Sequence, residues 1–188
     1  MKHSYQITEW IHHILRDHIE PGDICIDATA GNGNDTELLC ELTGTTGKVY
    51  AFDIQPAALA STENRLSKSG GQAQLILDGH ENMSAYIAEA GEISCIVFNL
   101  GYLPGGDHEK ATKPDTSIKA IAAGLALLKP GGIISLCIYS GGDTGFSEKK
   151  AVMQYLKELD PKQYLVIVSE YYNRPNDPPV PVLVVRVS

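Results

Sequence analysis

The feature that most restricts this chain is the short apolar run Asp23-Ile-Cys-Ile-Asp27, which ends in an acid and passes straight into Ala-Thr-Ala-Gly31-Asn-Gly33-Asn-Asp35. Residues 35–42 then follow a helical pattern, so the segment reads as strand, loop and helix. Such a loop needs glycine. A backbone without Cβ takes dihedrals closed to other residues and can approach a ligand closely, while amides at the next helix start are free to donate. Ligands of doubly wound sheets bind at this place.

The pattern recurs along the chain. Residues 4–19 carry apolar side chains at Tyr5, Ile7, Trp10, Ile11, Ile14, Leu15 and Ile19, the spacing of an amphipathic helix stopped by Pro21-Gly22. This helix either caps the core or supplies a homodimer contact through Trp10. Lys48–Asp53 is a second strand with an acidic end, and Pro56 opens a helix to about Ser67. Gln74–Asp78 and Ile93–Asn99 are the third and fourth strands. A polar, glycine-rich loop covers Gly101–Pro114, a length that usually marks function. A helix over Asp115–Leu128 ends in the turn Lys129-Pro-Gly-Gly132, and the fifth strand runs from Ile133 to Tyr139. A helix over residues 146–159 precedes strands at Tyr164–Tyr171 and Val182–Val187 that have no helix between them.

Regular alternation of strand and helix predicts a parallel sheet with helices on both faces, and the terminal pair predicts a hairpin that inserts one antiparallel strand. The expected fold is α/β and Rossmann-like: a seven-stranded, mostly parallel sheet in one domain over residues 1–188. Plain dinucleotide-binding domains lack the antiparallel strand, whereas class I methyltransferases are similar to one another in having it.

Composition narrows the setting. With 188 residues, 43% of them hydrophobic, the chain can bury an ordinary core. Cys25, Cys40, Cys95 and Cys137 show no metal-ligand spacing, and three of them lie in apolar runs, as expected of a reduced, cytoplasmic protein. No apolar run is long enough for a bilayer. The net charge of −8 argues against binding to nucleic acid chiefly by neutralising many phosphates. A local patch from Lys110, Lys113, Lys119, Lys149, Lys150 and Arg174 is compatible with it.

The glycine loop comes close to the G-x-G-x-x-G fingerprint of nicotinamide-binding domains. Two residues argue against a dinucleotide. Thr36 replaces the glycine that gives close helix–strand packing, and Asp35 puts a carboxylate where a pyrophosphate would sit on the helix N-terminus. S-adenosylmethionine has no phosphate and brings cationic groups. Asp27 would orient the loop and face the methionine ammonium, with Thr29, Gly31, Asn32, Gly33, Asn34 and Asp35 around it. Asp53 suits a pair of ribose hydroxyls, with Gln55 beside the adenosine; Asp78, Gly79 and His80 suit the adenine. Three acids ending three consecutive strands project to one edge of one sheet.

The fourth strand ends in Phe98-Asn99-Leu-Gly-Tyr102-Leu103-Pro104, across the switch point from the first. The segment resembles the Asn/Asp-Pro-Pro-Tyr signature of amino-directed methyltransferases, although Leu100-Gly101 replaces the prolines. The resemblance implies that Asn99 holds the target nitrogen and also touches the cofactor, with Tyr102 stacking on the base. Leu103, Pro104, Tyr139 and Arg174 are the other candidate substrate contacts. Methyl transfer to an amine needs a neutral lone pair in line with the sulfonium, and Asp107 and His108 are candidate proton acceptors. No metal site is expected.

The series DATAGNGND, FDIQ, LDGHEN, FNLGYLPGGDH, TKPDTS, LKPGG, YSGGDTG and YYNRPNDPP resembles, along nearly the whole chain, the small bacterial methyltransferases long labelled rRNA methylases and now associated with tRNA wobble-uridine modification. That resemblance implies S-adenosylmethionine as cofactor and the tRNA anticodon loop as partner. The implied reaction converts the 5-aminomethyl group of a wobble (2-thio)uridine to 5-methylaminomethyl. Methylation of rRNA or a small metabolite is the first alternative, and a nicotinamide oxidoreductase the second.

Overall fold

The computed structural model describes residues 6–101, 112–140, 145–175 and 177–188. Its elements are α1 (Ile7–His18), β1 (Ile24–Asp27), α2 (Asn34–Thr43), β2 (Lys48–Asp53), α3 (Pro56–Ser69), β3 (Gln74–Leu77), β4 (Ile93–Leu100), α4 (Pro114–Leu127), β5 (Leu128–Ile138), α5 (Gly145–Lys157), β6 (Tyr164–Val168) and β7 (Val180–Arg186). Short 3-10 turns cover Gly44–Thr46 and His80–Ala85.

The seven strands form one sheet in the order β3-β2-β1-β4-β5-β7-β6. β1 to β5 are parallel, and β7 runs antiparallel to both β5 and β6, as the terminal hairpin predicts. The strand order reverses between β1 and β4, so the ends of these two strands flank the crevice in which such sheets bind ligands.

Both faces of the sheet are covered, which is why the central strands read as continuous apolar runs. On one face, Ile26, Phe52, Ile96, Phe98 and Leu136 pack with Met83 of the second 3-10 turn, Ile121 of α4 and Val152 of α5. On the other, Cys25, Val49, Cys95 and Val97 pack with Ile11 and Leu15 of α1 and with Leu38 and Leu39 of α2. α1 therefore caps the core, while Trp10 remains partly exposed. The four cysteines are free thiols. Among the described residues, no helix is long and apolar enough to cross a membrane.

Two strand boundaries depart from expectation. β5 starts at Leu128, which pairs with Ile93, so Lys129–Gly132 is an irregularity inside the strand and not a turn before it. β6 stops at Val168 and not at Tyr171. Ser169 N still donates to Pro181 O, but Pro181 has no N–H to return, and the ladder ends there.

Candidate active site

A cleft of about 720 Å³ opens at the C-terminal edge of the parallel strands. Its floor is built by the loop after β1. Asp27 is fully buried, and its two oxygens accept from Thr29 N (3.1 Å) and Thr36 Oγ1 (2.6 Å), tying both ends of the loop to one strand end. Burial, followed by the nearby charge of Asp35, pushes the Asp27 carboxyl up to about 7. Thr29 Oγ1 accepts from Asn99 N (2.8 Å), which couples the loop to the end of β4. Gly33 caps α2 with φ +76, and a Cβ there would lie 2.9 Å from Thr62 Cα, so both conformation and space demand glycine.

The strand-end acids stand in a row. Asp53 accepts from Gly31 N (3.0 Å) through one oxygen and from Gln55 N (2.8 Å) through the other. Each oxygen keeps a lone pair for a ligand. Asp78 accepts from Asn82 Nδ2 (2.9 Å), Tyr86 Oη (2.8 Å) and Gly79 N (2.7 Å), and these donors hold its carboxyl below the usual carboxylate range. His80 is buried, with Nδ1 at 3.1 Å from Ala28 O and its ring edge-on to Phe98; burial lowers its pKa.

Thr29, Gly31, Asn32, Asn34, Asp35, Asp53, Gln55, Asp78, Gly79, His80 and Asn99 all line the cleft, as does Tyr139. Asp27 and Gly33 do not; they shape the loop from behind. Arg174 lies in the β6–β7 connection, which shares the sheet edge with the cleft because Val180 pairs with Ile138, but it does not line the cleft. Tyr102, Leu103, Pro104, Asp107 and His108 lie outside the described residues. Among the described residues, no cluster of His, Cys, Asp or Glu could hold a metal ion.

Several lining residues carry no sequence signal of their own. α1 sends Thr8, Glu9 and His12 over the cleft, and His12 Nε2 lies 2.6 Å from Asp35 Oδ1. Ile54, 55% exposed between Asp53 and Gln55, offers an apolar contact. At the far end, Gly101 N donates to Thr112 Oγ1 (2.9 Å) and Thr112 N donates to Gly101 O (3.1 Å). Glu148, 1% exposed in the first turn of α5, accepts from Thr112 Oγ1 (2.7 Å) and Ser117 Oγ (2.6 Å). A buried acid at that position is invisible in a sequence whose neighbours, Ser147, Lys149 and Lys150, look like a solvated helix face.

A mostly parallel sheet with β7 inserted antiparallel next to β5, a glycine loop after β1 and a row of strand-end carboxylates define a class I methyltransferase, a class whose cofactor is S-adenosylmethionine. Residues 49–185 match the family described as "Putative rRNA methylase", and the chain belongs to that family. A structure described as a putative rRNA-methylase from Clostridium thermocellum superposes with a TM-score of 0.94 at 41% identity, covering 98% of this chain and 99% of the other. A second, described as a putative methyltransferase from Streptococcus mutans in complex with SAH, gives 0.88 at 38% identity with the same coverage. The Arabidopsis thaliana chloroplastic tRNA (mnm(5)s(2)U34)-methyltransferase is 36% identical over 181 residues, 91% of this chain. The chain spans 66% of that plant relative's length.

Proposed function

We propose that this protein transfers the methyl group of S-adenosylmethionine to the amine of 5-aminomethyl-(2-thio)uridine at the tRNA wobble position, giving 5-methylaminomethyl-(2-thio)uridine. The observation that supports it most is that Asn99, next to last in β4, lies inside the cleft, bonded through its backbone to the glycine loop. The name of the plant relative supports the substrate.

The cleft suits a cationic, phosphate-free cofactor, because Asp35, Asp53 and Asp78 all line it. When bound, S-adenosylmethionine supplies an electrophilic methyl group on a sulfonium. In this proposal Asp35 and the loop Thr29–Asn34 hold the methionine end. Asp53 accepts the ribose hydroxyls with its spare lone pairs, and Ile54, Asp78, Gly79 and His80 enclose the adenine. Asn99 accepts an N–H of the substrate amine, which aligns the nitrogen lone pair with the methyl group. Tyr139 and Tyr102 frame the unpaired base, as single-stranded RNA bases are commonly held, and Asp107 or His108 takes the proton released. Lys113 at the cleft, with Lys149 and Arg174, supplies phosphate contacts in a chain of net charge −8.

Nucleoside mass spectrometry of tRNA from cells lacking the protein tests the proposal. The expected result is accumulation of the unmethylated 5-aminomethyl nucleoside; an unchanged tRNA nucleoside profile contradicts it. The family description favours rRNA as a second substrate class, which predicts a missing rRNA methyl group in the same cells.

A further inference from the structure

α1 precedes the sheet and carries none of the motif residues, yet it supplies part of the cleft lining. Its stripe Ile7, Ile11 and Leu15 is buried against the sheet. Thr8 and His12, one turn apart on the same helix face, line the cleft instead. His12 and Asp35 are both largely buried, with side-chain exposures of 21% and 16%. His12 Nε2 meets Asp35 Oδ1 at 2.6 Å, and Asn99 Nδ2 donates to Asp35 Oδ2 at 2.6 Å.

The order of donors fixes an orientation. A carboxylate only accepts, so the end of the Asn99 amide that faces Asp35 must be the NH2 group, and Nε2 of His12 must carry its proton. The carbonyl oxygen of Asn99 is thereby turned away from Asp35 and kept as an acceptor. The Asn99 backbone N–H is already committed to Thr29 Oγ1, so the side chain swings from a fixed base. An acceptor at this point favours a nucleophile that still has N–H to donate, as a neutral amine does. An amide turned the other way would offer a donor and compete for the amine lone pair.

We infer that His12 is a positioning residue: through Asp35 it locks the Asn99 amide with its carbonyl oxygen toward the target amine. The inference rests on the amine-directed reading above. α1 is then part of the active site and not merely a cap on the core.

The test uses the full chain, with His12→Ala, His12→Gln and wild type compared on tRNA bearing 5-aminomethyluridine. Gln replaces the Nε2 donor with an amide donor at similar reach. His12→Ala should lower kcat by about tenfold to a hundredfold and leave SAH affinity by calorimetry within about threefold, and His12→Gln should restore most of kcat. The Asn99 side-chain amide resonances, assigned by their absence in Asn99→Asp, should shift in His12→Ala and return in His12→Gln. A kcat unchanged in His12→Ala, or amide resonances that stay in place, overturns the inference. Equal loss of SAH binding and activity in both variants also overturns it, since that is the signature of a structural role. Wild-type protein inactive on this tRNA overturns the proposed substrate, and the amide resonances then still decide the role of His12.

Discussion

Thr36 stands where a dinucleotide-binding loop carries its third glycine, and its Oγ1 donates to Asp27 Oδ2 over 2.6 Å in a fully buried pair. The hydroxyl gives the buried acid one of its two donors, so the glycine position of one cofactor class has become a structural hydrogen bond in another. Thr36→Val keeps the shape and removes the donor. It should destabilise the protein by about 1–3 kcal/mol, read as a lower midpoint in urea at unchanged slope, while Thr36→Ser should stay close to wild type.

Asp27 also sets a pH dependence. Its carboxyl is pushed up to about 7, above the unfolded value of about 3.9. The folded protein therefore binds this proton more tightly than the unfolded chain. The resulting stabilisation is complete below about pH 4 and is lost as the pH rises through about 7. Asn at this position can still accept from Thr29 N and does not titrate. The melting temperature of the ligand-free wild type should fall relative to that of Asp27→Asn between about pH 5 and pH 8. A constant difference between the two contradicts the assignment.

Asp53 holds Gly31 N and Gln55 N while facing the cleft. Asp53→Ala releases both backbone amides and removes the ribose acceptor. SAH affinity by calorimetry should fall by at least about tenfold, the cost of losing one charged hydrogen bond.

Glu148 ties Thr112, and through it Gly101, to the start of α4. Glu148→Ala leaves the buried Ser117 hydroxyl without its acceptor and leaves Thr112 Oγ1 only the longer contact to Gly101 O at 3.4 Å. The unsatisfied Ser117 hydroxyl costs about 1–3 kcal/mol, so chemical denaturation should show a loss of at least that size. Glu148→Gln keeps one acceptor and one donor and should lose less.

The strand-end acids were legible in the sequence because an apolar run that stops at a carboxylate announces both an element boundary and its exposed edge. Asp53 and Asp78 line the cleft for that reason, and the polar Asn99 near the end of β4 does so in the same way. His12 was not legible. Its helix reads as a core stripe, and only the packing of α1 over β4 and β5 brings a polar position of that stripe's flank to Asp35. Glu148 was hidden in the same way, by charged neighbours that mimic a solvated face. The early start of β5 escaped because Lys129-Pro-Gly-Gly132 has turn chemistry, and only its partner Ile93 makes it part of a strand. The end of β6 depended on Pro181, which lies on the other strand of the hairpin. Arg174 lies in the hairpin connection at the sheet edge, outside the residues that line the cleft.

The most direct measurement incubates the purified protein with S-adenosylmethionine and tRNA whose wobble uridine carries the 5-aminomethyl group, then quantifies nucleosides by mass spectrometry. Wild type should convert that nucleoside to its 5-methylaminomethyl form, and Asn99→Ala should do so about a hundredfold more slowly with SAH affinity retained. An aminomethyl nucleoside that persists unmethylated with wild-type protein and bound cofactor would contradict the account.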